Sequence, residues 1–299
     1  MRKVRAAILG SGNIGTDLLV KVLRSKYLTC PIFIGRSLNS NGLQKAQSLG
    51  VPISIESIKY IENNPDCCDI VFDATSAKDH LQHAEILKKL NKFVIDLTPA
   101  KVGLMCVPAV NIQQSLRASN VNMVTCGGQS SIPIAYAISQ AHEDVDYIEV
   151  VSSIASRSAG PATRANLDEY IHTTEMGLQY FSGATKTKAI LNLNPATPCI
   201  NMQTTVFAKV KEPNLTLLKE KVQLIEQEIK KYVPGYEIIV NPTLENGRIV
   251  IMLRVVGLGD YLPEYAGNLD IINCAAIAVA EEFAKEKISK GVENVTYTY

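Results

Sequence analysis

The sequence predicts an α/β fold in two domains, an N-terminal parallel sheet with helical crossovers and a second, α+β domain. Short apolar runs alternate with segments of helical spacing over the first 125 residues. After residue 145 the strands become longer, and apolar and polar residues partly alternate along them. Alternating strands and helices favour a parallel sheet, whereas alternation within a strand is typical of a sheet with one exposed face.

The first domain is expected to span residues 1–125, joined by a C-terminal helix over 271–299. Apolar runs ended by glycine or small polar residues predict its strands at 4–10, 30–35, 69–76, 92–100 and 121–128. Helical spacing predicts the helices between them at 16–25, 40–50 and 77–91. Alanines on the packing side of residues 271–288 indicate that the tail helix returns to pack on the first domain.

The second domain, the catalytic and dimerisation domain of this prediction, is expected to span residues 126–270. Partial alternation predicts strands at 145–156, 200–210 and 247–257. Between the last two, residues 214–233 form one amphipathic helix, because apolar residues recur there every three or four positions. These residues are Leu215, Leu218, Val222, Ile225 and Ile229. The pattern indicates an antiparallel or mixed sheet backed by helices, and such a surface favours self-association.

Composition argues against several classes of protein. The net charge of +1 predicts no general attraction to nucleic acid or to acidic membranes. No apolar run reaches the ~18 residues that a membrane span requires. The seven cysteines are irregularly spaced and include no C-x-x-C pair, which disfavours a metal site and a disulfide framework. We therefore expect a protein of the reducing cytoplasm.

A glycine-rich turn follows the first predicted strand and precedes the first predicted helix. It reads Gly10-Ser11-Gly12-Asn13-Ile14-Gly15, a G-x-G-x-x-G pattern. In this setting the first glycine makes a tight turn, the second admits a pyrophosphate and the third lets helix and strand pack closely. The sequence therefore predicts a Rossmann domain that binds a dinucleotide through Ser11, Gly12, Asn13, Ile14 and Gly15.

The end of the second predicted strand bears on which dinucleotide is bound. The Rossmann fingerprint places an acidic residue there for the adenosine ribose, but this chain has Gly35-Arg36-Ser37-Leu38. Arg36 could receive a 2′-phosphate, which would allow NADP as well as NAD. Equally, Arg36 could stack on adenine or be solvated.

A cysteine lies where the last strand of the first domain gives way to a helix, in the stretch NMVTCGGQSSIP. Glycines after Cys126 remove side chains around the sulfur, and we expect Gln129 and Ser130 to begin the helix. A helix N-terminus favours negative charge and would lower the pKa of the thiol. In a nicotinamide-binding protein such a thiolate could attack an aldehyde and form a thioester. The same stretch is also compatible with a turn that contains an inert cysteine.

Taken together, these segments resemble acylating, CoA-dependent acetaldehyde dehydrogenases of the meta-cleavage pathways for aromatic compounds. The resemblance covers residues 4–285 and is specific. Its motifs are AILGSGNIGTDL (7–18), DIVFDATSA (69–77), IDLTPA (95–100), VNMVTCGGQ (121–129), SIASRSAGPATRAN (153–166), LNPA (193–196), YVPGY (232–236) and YLPEYAGNLDI (261–271).

The resemblance implies a Rossmann domain followed by a domain of the semialdehyde and glyceraldehyde-phosphate dehydrogenase type. It implies that acetaldehyde, or a short aliphatic aldehyde, reacts with CoA and NAD⁺ to give acetyl-CoA and NADH through an acyl-thioester on Cys126. Relatives are typically complexed with a 4-hydroxy-2-oxoacid aldolase, and a homodimer is expected. The implied cofactor contacts beyond the glycine turn are Ser158, Ala159, Gly160, Pro161, Ala162, Thr163, Arg164, Ala165, Asn166 and Asn268.

Two positions depart from the family pattern. Ser37 stands where the family usually has an aspartate, which leaves the choice between NAD and NADP open. Thr204 stands where the family often has an aspartate, to which the resemblance assigns the role of a base toward CoA. A threonine has no such basicity, so another group, or water, must deprotonate CoA, or acyl transfer is slow.

Two other functions compete with this one. A phosphate-dependent semialdehyde or acyl-phosphate reductase would pair the cysteine with a later histidine, and no histidine of this chain falls in a matching motif. A catalytically impaired dinucleotide-binding partner protein would also explain the departures at Ser37 and Thr204.

Overall fold

The structure is a computed structural model that describes residues 3–289 of the 299. The side chains of Pro161 and Ala162 also lie outside the described part, as do residues 290–299 of the expected tail helix. The chain forms two compact units. The first runs up to Met123 and takes in the chain from Asn273 onward, and the second is Val124–Ile272.

The first unit is built on a parallel sheet, and its strands within residues 3–289 pair in the order β4-β3-β1-β5-β6-β8-β7, with β2 beside β1. The strands are β1 (Val4–Leu9), β2 (Leu28–Thr29), β3 (Phe33–Ile34), β4 (Ile53–Ser54), β5 (Ile70–Asp73), β6 (Phe93–Asp96), β7 (Leu104–Met105) and β8 (Asn120–Asn122). The central strands are buried along nearly their whole length, as expected of a parallel sheet covered on both faces.

Helices connect these strands and cover the sheet. They are α1 (Asn13–Arg24), α2 (Asn41–Ser48), α3 (Ile58–Asn63), α4 (Ala77–Lys89) and α5 (Pro108–Ser115). Ser76 caps α4 by accepting a hydrogen bond from the amide of Asp79. Because the sheet is parallel, the polar residues that end β5 and β6 meet at one edge.

The second unit is a mixed sheet backed by helices, as its sequence pattern predicts. Its strands lie in the order β10-β9-β11-β13-β12. They are β9 (Val145–Ala155), β10 (Lys186–Asn194), β11 (Met202–Val210), β12 (Tyr236–Glu245) and β13 (Arg248–Val255). Only the pairing of β9 with β10 is parallel among these contacts. The accompanying helices are α6 (Cys126–Ala141), α7 (Pro161–Ala165), α8 (Leu167–Ser182) and α9 (Leu215–Lys230).

The last helix, α10 (Gly267–Ser289), carries the chain back into the first unit. The Phe283 ring stacks on Phe93 of β6, with ring centroids 4.2 Å apart. Ala276 and Ala280 are fully buried on the same helix, so its close approach depends on small side chains. Within residues 3–289, the structure contains no helix with the length and apolarity needed to span a membrane.

One disagreement with the sequence prediction concerns the residues around Cys126. The strand predicted at 121–128 ends at Asn122, and the helix expected to begin at Gln129 begins at Cys126. The Thr125 side chain accepts a hydrogen bond from the Gly128 amide (2.8 Å) and caps the helix. A capping threonine places the two glycines inside the first turn, where their low helix propensity suggested a loop.

Candidate active site

The glycine turn of the first unit forms a cradle of exposed backbone before α1. Gly10 has a φ of +118°, and a Cβ there would overlap the Ala74 carbonyl. A Cβ on Gly15 would overlap the carbonyl oxygen of Gly10. A Cβ on Gly12, by contrast, would meet nothing within 4 Å. Gly10 and Gly15 therefore allow neighbouring backbone to pack closely, whereas Gly12 leaves open space at the start of the helix.

The N-terminus of α1 is suited to an anion. Gly12 is its N-cap and supplies no side-chain cap, and the first turn contains no acidic residue. Amide groups at such an end attract a phosphate group. A hydrogen bond holds the Ser11 side chain in place, since Ser40 Oγ lies 2.8 Å from Ser11 Oγ. The open cradle thus fits the pyrophosphate of a dinucleotide.

Arg36 lies beyond β3 with its side chain exposed. Its Nη1 is 3.7 Å from Asp79 Oδ2, near the start of α4. Ser37 and Leu38 are also exposed. The guanidinium is accessible to a phosphate beside its contact with Asp79, and positions 35–38 themselves contain no carboxylate.

Buried charges surround the edge where β5 and β6 end. Asp73 Oδ2 is 2.8 Å from Nδ1 of both His80 and His83, and His80 Nε2 is 3.4 Å from Asp96 Oδ2. Burial would raise the pKa of Asp73, but the two histidines outweigh burial and hold this pKa well below the ordinary range. Burial lowers the pKa of His80, but Asp73 and Asp96 together raise this pKa by more than burial lowers it, so the net shift is upward. Burial raises the pKa of Asp96 to about 6, against the effects of His80, Thr98 and Asn122.

A second buried ion pair lies on α1. Asp17 Oδ2 is 2.8 Å from Lys21 Nζ, and both side chains are almost fully buried. Asn273 Nδ2 donates to the same carboxylate oxygen at 2.7 Å. Asp17 and Lys21 lie on α1, the helix that follows the glycine turn, and Asn273 donates a hydrogen bond to this ion pair.

The thiol of Cys126 lies at the first position of α6 in the second unit. It is partly buried, and its side-chain partner is the Tyr170 hydroxyl, 3.7 Å from Sγ. Tyr170 belongs to α8, which packs against α6. No hydrogen bond in the described part of the chain joins Cys126 to a histidine or a carboxylate.

Burial raises the pKa of Cys126 above that of an ordinary thiol. The Tyr170 hydroxyl and the amides of Gly127 and Cys126 lower it, as the position on the helix predicts, but burial is the larger effect. The prediction that the helix N-terminus lowers this pKa was therefore right about the local contribution and wrong about the net direction.

A chain of hydroxyl groups lies beneath this first turn. Thr204 Oγ1 is 3.0 Å from Ser152 Oγ and 3.1 Å from Ser130 Oγ. Ser130 Oγ donates to the Gly127 carbonyl (2.9 Å), so its own lone pair accepts from Thr204. Thr204 is fully buried on β11, and its neighbours in this chain are neutral. Thr204 is thus one uncharged link in this chain of hydroxyl groups.

The loop after β9 contains a single turn of 3₁₀ helix, Ser156–Ser158, followed by α7. Arg164 ties it together by donating to the carbonyl oxygens of Ala159 and Ser156, each at 3.0 Å. Ser158 Oγ donates to the Ala155 carbonyl (2.9 Å). Asn166 leads directly into α8, so this loop fixes the start of the helix that carries Tyr170.

Asn268 is buried near the start of α10, and its side-chain oxygen has no partner among the described residues. An orphaned buried oxygen of this kind is compatible with a ligand that donates a hydrogen bond. No group of three or more His, Cys, Asp or Glu within residues 3–289 could hold a metal ion.

Comparison with curated proteins then shows the family. The chain is 62% identical to an acetaldehyde dehydrogenase from Spirochaeta aurantia over 95% of this chain and 96% of that protein. The chain belongs to the acetaldehyde dehydrogenase family. A relative of the same name from Pectobacterium atrosepticum is 58% identical over 97% of this chain and 98% of its own length. Residues 126–263 match the family model described as prokaryotic acetaldehyde dehydrogenase, dimerisation.

Solved structures support the fold of this acetaldehyde dehydrogenase family member. An aspartate semialdehyde dehydrogenase with NADP from Candida albicans superposes with a TM-score of 0.66 at 10% identity, over 94% of this chain and 100% of that one. Aspartate semialdehyde dehydrogenase II from Vibrio cholerae gives a TM-score of 0.62 at 13% identity, over 96% and 99%. The prediction of a Rossmann domain with a semialdehyde-dehydrogenase-like second domain is confirmed.

Sequence reasoning missed one residue that the structure brings to the thiol, Tyr170, and one that lies close to Gly127, Ser152. Tyr170 and Ser152 lie on α8 and β9, 44 and 26 positions from Cys126. A Cβ on Gly127 would overlap the Tyr170 hydroxyl and lie 3.4 Å from Ser152 Oγ. The Gly127 position was the available signal, since a glycine inside a helix often marks the close approach of another side chain.

Proposed function

We propose that the chain oxidises acetaldehyde, or another short aliphatic aldehyde, to an acyl-CoA through a thioester on Cys126, with NAD⁺ as the hydride acceptor. The observation that carries the proposal is the partly buried thiol at the first position of α6, where two backbone amides and one hydroxyl group favour its ionised form. Family membership supports the substrate.

The chain's own residues account for the covalent part of the reaction. The Cys126 sulfur attacks the aldehyde carbon, and loss of hydride leaves an acyl group on sulfur. The sulfur of CoA then attacks the acyl carbon and expels Cys126 as a thiolate. Because Thr204, Ser130 and Ser152 are uncharged, they supply no base for CoA. We therefore infer that the CoA thiolate already present in solution is the nucleophile.

The first unit would hold the cofactor through the glycine turn, with the pyrophosphate on the amides at the start of α1. The bound nicotinamide supplies the hydride acceptor. The loop from Ser158 to Asn166 and the orphaned oxygen of Asn268 are the contributions that we propose from the second unit. Exposed Arg36 supports use of NADP beside NAD, because its guanidinium could pair with a 2′-phosphate.

The proposal includes a homodimer, supported by the match of residues 126–263 to a dimerisation domain. It also includes the 4-hydroxy-2-oxoacid aldolase as a partner, on the strength of the sequence resemblance. Gel filtration of the chain alone and with such an aldolase tests both parts.

A substitution at the thiol tests the reaction. We expect Cys126→Ser to reduce aldehyde-dependent formation of reduced cofactor by about a thousandfold or more, since a hydroxyl is a far poorer nucleophile than a thiolate. Cys199→Ser, at another partly buried thiol, is the matched control and should retain activity. The assay supplies acetaldehyde or propanal, CoA or phosphate, and NAD⁺ or NADP⁺.

Mass spectrometry without CoA adds an independent readout. Wild-type protein given acetaldehyde and NAD⁺ should carry an acetyl group on the peptide that contains Cys126. Full activity of Cys126→Ser would overturn the proposal. Turnover with phosphate in place of CoA would instead identify an acyl-phosphate reductase, and a large preference for NAD⁺ over NADP⁺ would remove the role of Arg36.

A further inference from the structure

One phenol group faces the thiol in the second unit. The Tyr170 hydroxyl is 3.7 Å from Cys126 Sγ, within hydrogen-bond distance for sulfur, and the tyrosine is only 8% exposed. The helix that carries it is fixed at its start by the backbone bond from Tyr170 N to the Asn166 carbonyl (2.9 Å). Its next turn is fixed by Thr174, whose hydroxyl donates to the Tyr170 carbonyl (2.7 Å). The phenol is thus held in place.

The sequence keeps a gap open for this hydroxyl. Any Cβ at position 127 would overlap the oxygen of Tyr170, so only glycine at this position lets the phenol reach the first turn of α6. Gly127 is not one of the glycines with a positive φ, so backbone conformation does not explain the glycine at this position. Its absent side chain is explained by the approach of Tyr170.

The other hydroxyl groups near this turn are committed elsewhere. Thr125 caps the Gly128 amide and contacts Thr174 at 2.7 Å. Ser130 and Ser131 both donate to the Gly127 carbonyl. Of the side-chain hydroxyls described around α6, Tyr170 is the one that forms a hydrogen bond with the sulfur.

We propose that Tyr170 is a catalytic residue, which donates a hydrogen bond to the Cys126 sulfur whenever that sulfur is negatively charged. This inference rests on the proposed thioester route. The hydrogen bond from the phenol offsets part of the effect of burial, because the surroundings of the sulfur otherwise favour the neutral thiol.

The sulfur is negatively charged at two points in the reaction. Before attack, the thiol has lost its proton to solvent, and the phenol hydrogen bond stabilises the lone pair that will form the carbon–sulfur bond. During acyl transfer, the new bond from the acyl carbon to the CoA sulfur forms as the bond to Cys126 breaks, and the electron pair returns to Cys126. The same hydrogen bond stabilises this leaving group. Tyr170 keeps its proton in both steps.

The surroundings of the phenol suit a donor that does not ionise. Burial raises the pKa of Tyr170 well above its ordinary value, and the nearby Cys126 raises it further. The Gly127 amide and the Thr125 hydroxyl lower it by less. A neutral phenol can give a hydrogen bond to a thiolate at every pH at which the enzyme would work.

The test is Tyr170→Phe, which removes the hydroxyl and keeps the ring. We expect the pKa of Cys126, measured from the pH dependence of iodoacetamide alkylation, to rise by about one pH unit, since a hydrogen bond to a charged group has about that effect. The kcat should fall about tenfold or more with little change in KM for acetaldehyde. Tyr236→Phe is the matched control, because it removes a buried hydroxyl that donates to the Ser130 carbonyl and makes no contact with the sulfur.

A second variant preserves the test if Tyr170→Phe fails to fold. Difluorotyrosine placed at position 170 keeps the shape of the phenol and makes it a stronger donor, so the pKa of Cys126 should fall. An unchanged alkylation profile in both variants would overturn the role of Tyr170. If that happens while Cys126→Ser is inactive, the thioester route stands without the phenol; if Cys126→Ser is active, the route itself is wrong.

Discussion

One buried polar cluster of the first unit is built from charges, and one of the second unit is built from neutral groups. The first unit buries charges in pairs, with Asp17 against Lys21 and Asp73 against two histidines. The second unit, beneath the thiol, buries the neutral hydroxyls of Ser130 and Thr204. The first arrangement makes stability depend on complete pairing and on pH, because a buried charge without its partner is costly. In the second arrangement the Cys126 thiol is the group whose charge changes, because the hydroxyl groups beneath it stay neutral.

Removing one buried charge of the first unit should have the largest effect on stability. Asp17→Ala leaves the Lys21 ammonium buried without this carboxylate, and we expect the free energy of unfolding to fall by about 3–5 kcal/mol. Asp144→Ala removes an exposed partner of Lys211 and is the control, expected to leave the denaturation midpoint unchanged. Equal midpoints for the two variants in urea would contradict the contrast between the units.

The histidine network should make part of this stability depend on pH. The depressed pKa of Asp73 gives a contribution present above pH ~4 and lost as the pH falls through the folded-state value. The raised pKa of His80 gives one present below pH ~6.5 and lost as the pH rises through its folded-state value. The pKa of Asp96, raised to about 6, acts in the same direction as that of His80 and opposite to that of Asp73, because stability is lost as the pH rises from pH ~4 toward that value.

Asp73→Asn should therefore cost most between these limits. We expect a loss of about 2–3 kcal/mol near pH ~5.5, and a smaller loss below pH ~4 and above the raised folded-state pKa of His80. Urea unfolding of both proteins at several pH values measures the difference. A loss that is constant across this range would show that Asp73 acts through packing and not through charge.

A substitution in the hydroxyl chain should have the smallest effect and no pH dependence. Thr204→Val removes the contacts with Ser130 and Ser152 and keeps the volume, and we expect a loss of about 1–2 kcal/mol in unfolding free energy at every pH. Thr204→Ser keeps the hydroxyl and should lose less. A pH-dependent loss for Thr204→Val would mean that this region contains a charge that the contacts do not reveal.

The sequence predicted the elements that depend on local pattern. The glycine turn, its flanking strand and helix, and the face of α9 are each determined by neighbouring residues, and Leu218, Val222 and Ile229 are indeed buried. Strands β10 and β12 were missed, and few of their positions are buried; they lie at the two edges of their sheet, where one side of the strand has no partner. Edge strands need less apolar surface, so pattern identifies them poorly.

The site was predictable only in part, for a related reason. Cys126 stands out because its own neighbours are glycines and a threonine, and the helix beginning depends on that local chemistry. Tyr170 is 44 positions from Cys126, and the histidine network joins the end of β5 to α4 and β6, so both depend on contacts between separate elements. The pKa of the thiol also depends on burial by these distant segments, which is why its net direction could not be foreseen.

The return of α10 has a consequence for how the protein is made. Phe93 leaves the ribosome long before Phe283, its stacking partner, and Asp17 is synthesised before Asn273. Until α10 has been synthesised, the nascent first unit therefore has an uncovered aromatic surface, and the second unit is complete earlier in the order of synthesis. The unit whose synthesis begins first is therefore completed after the other one.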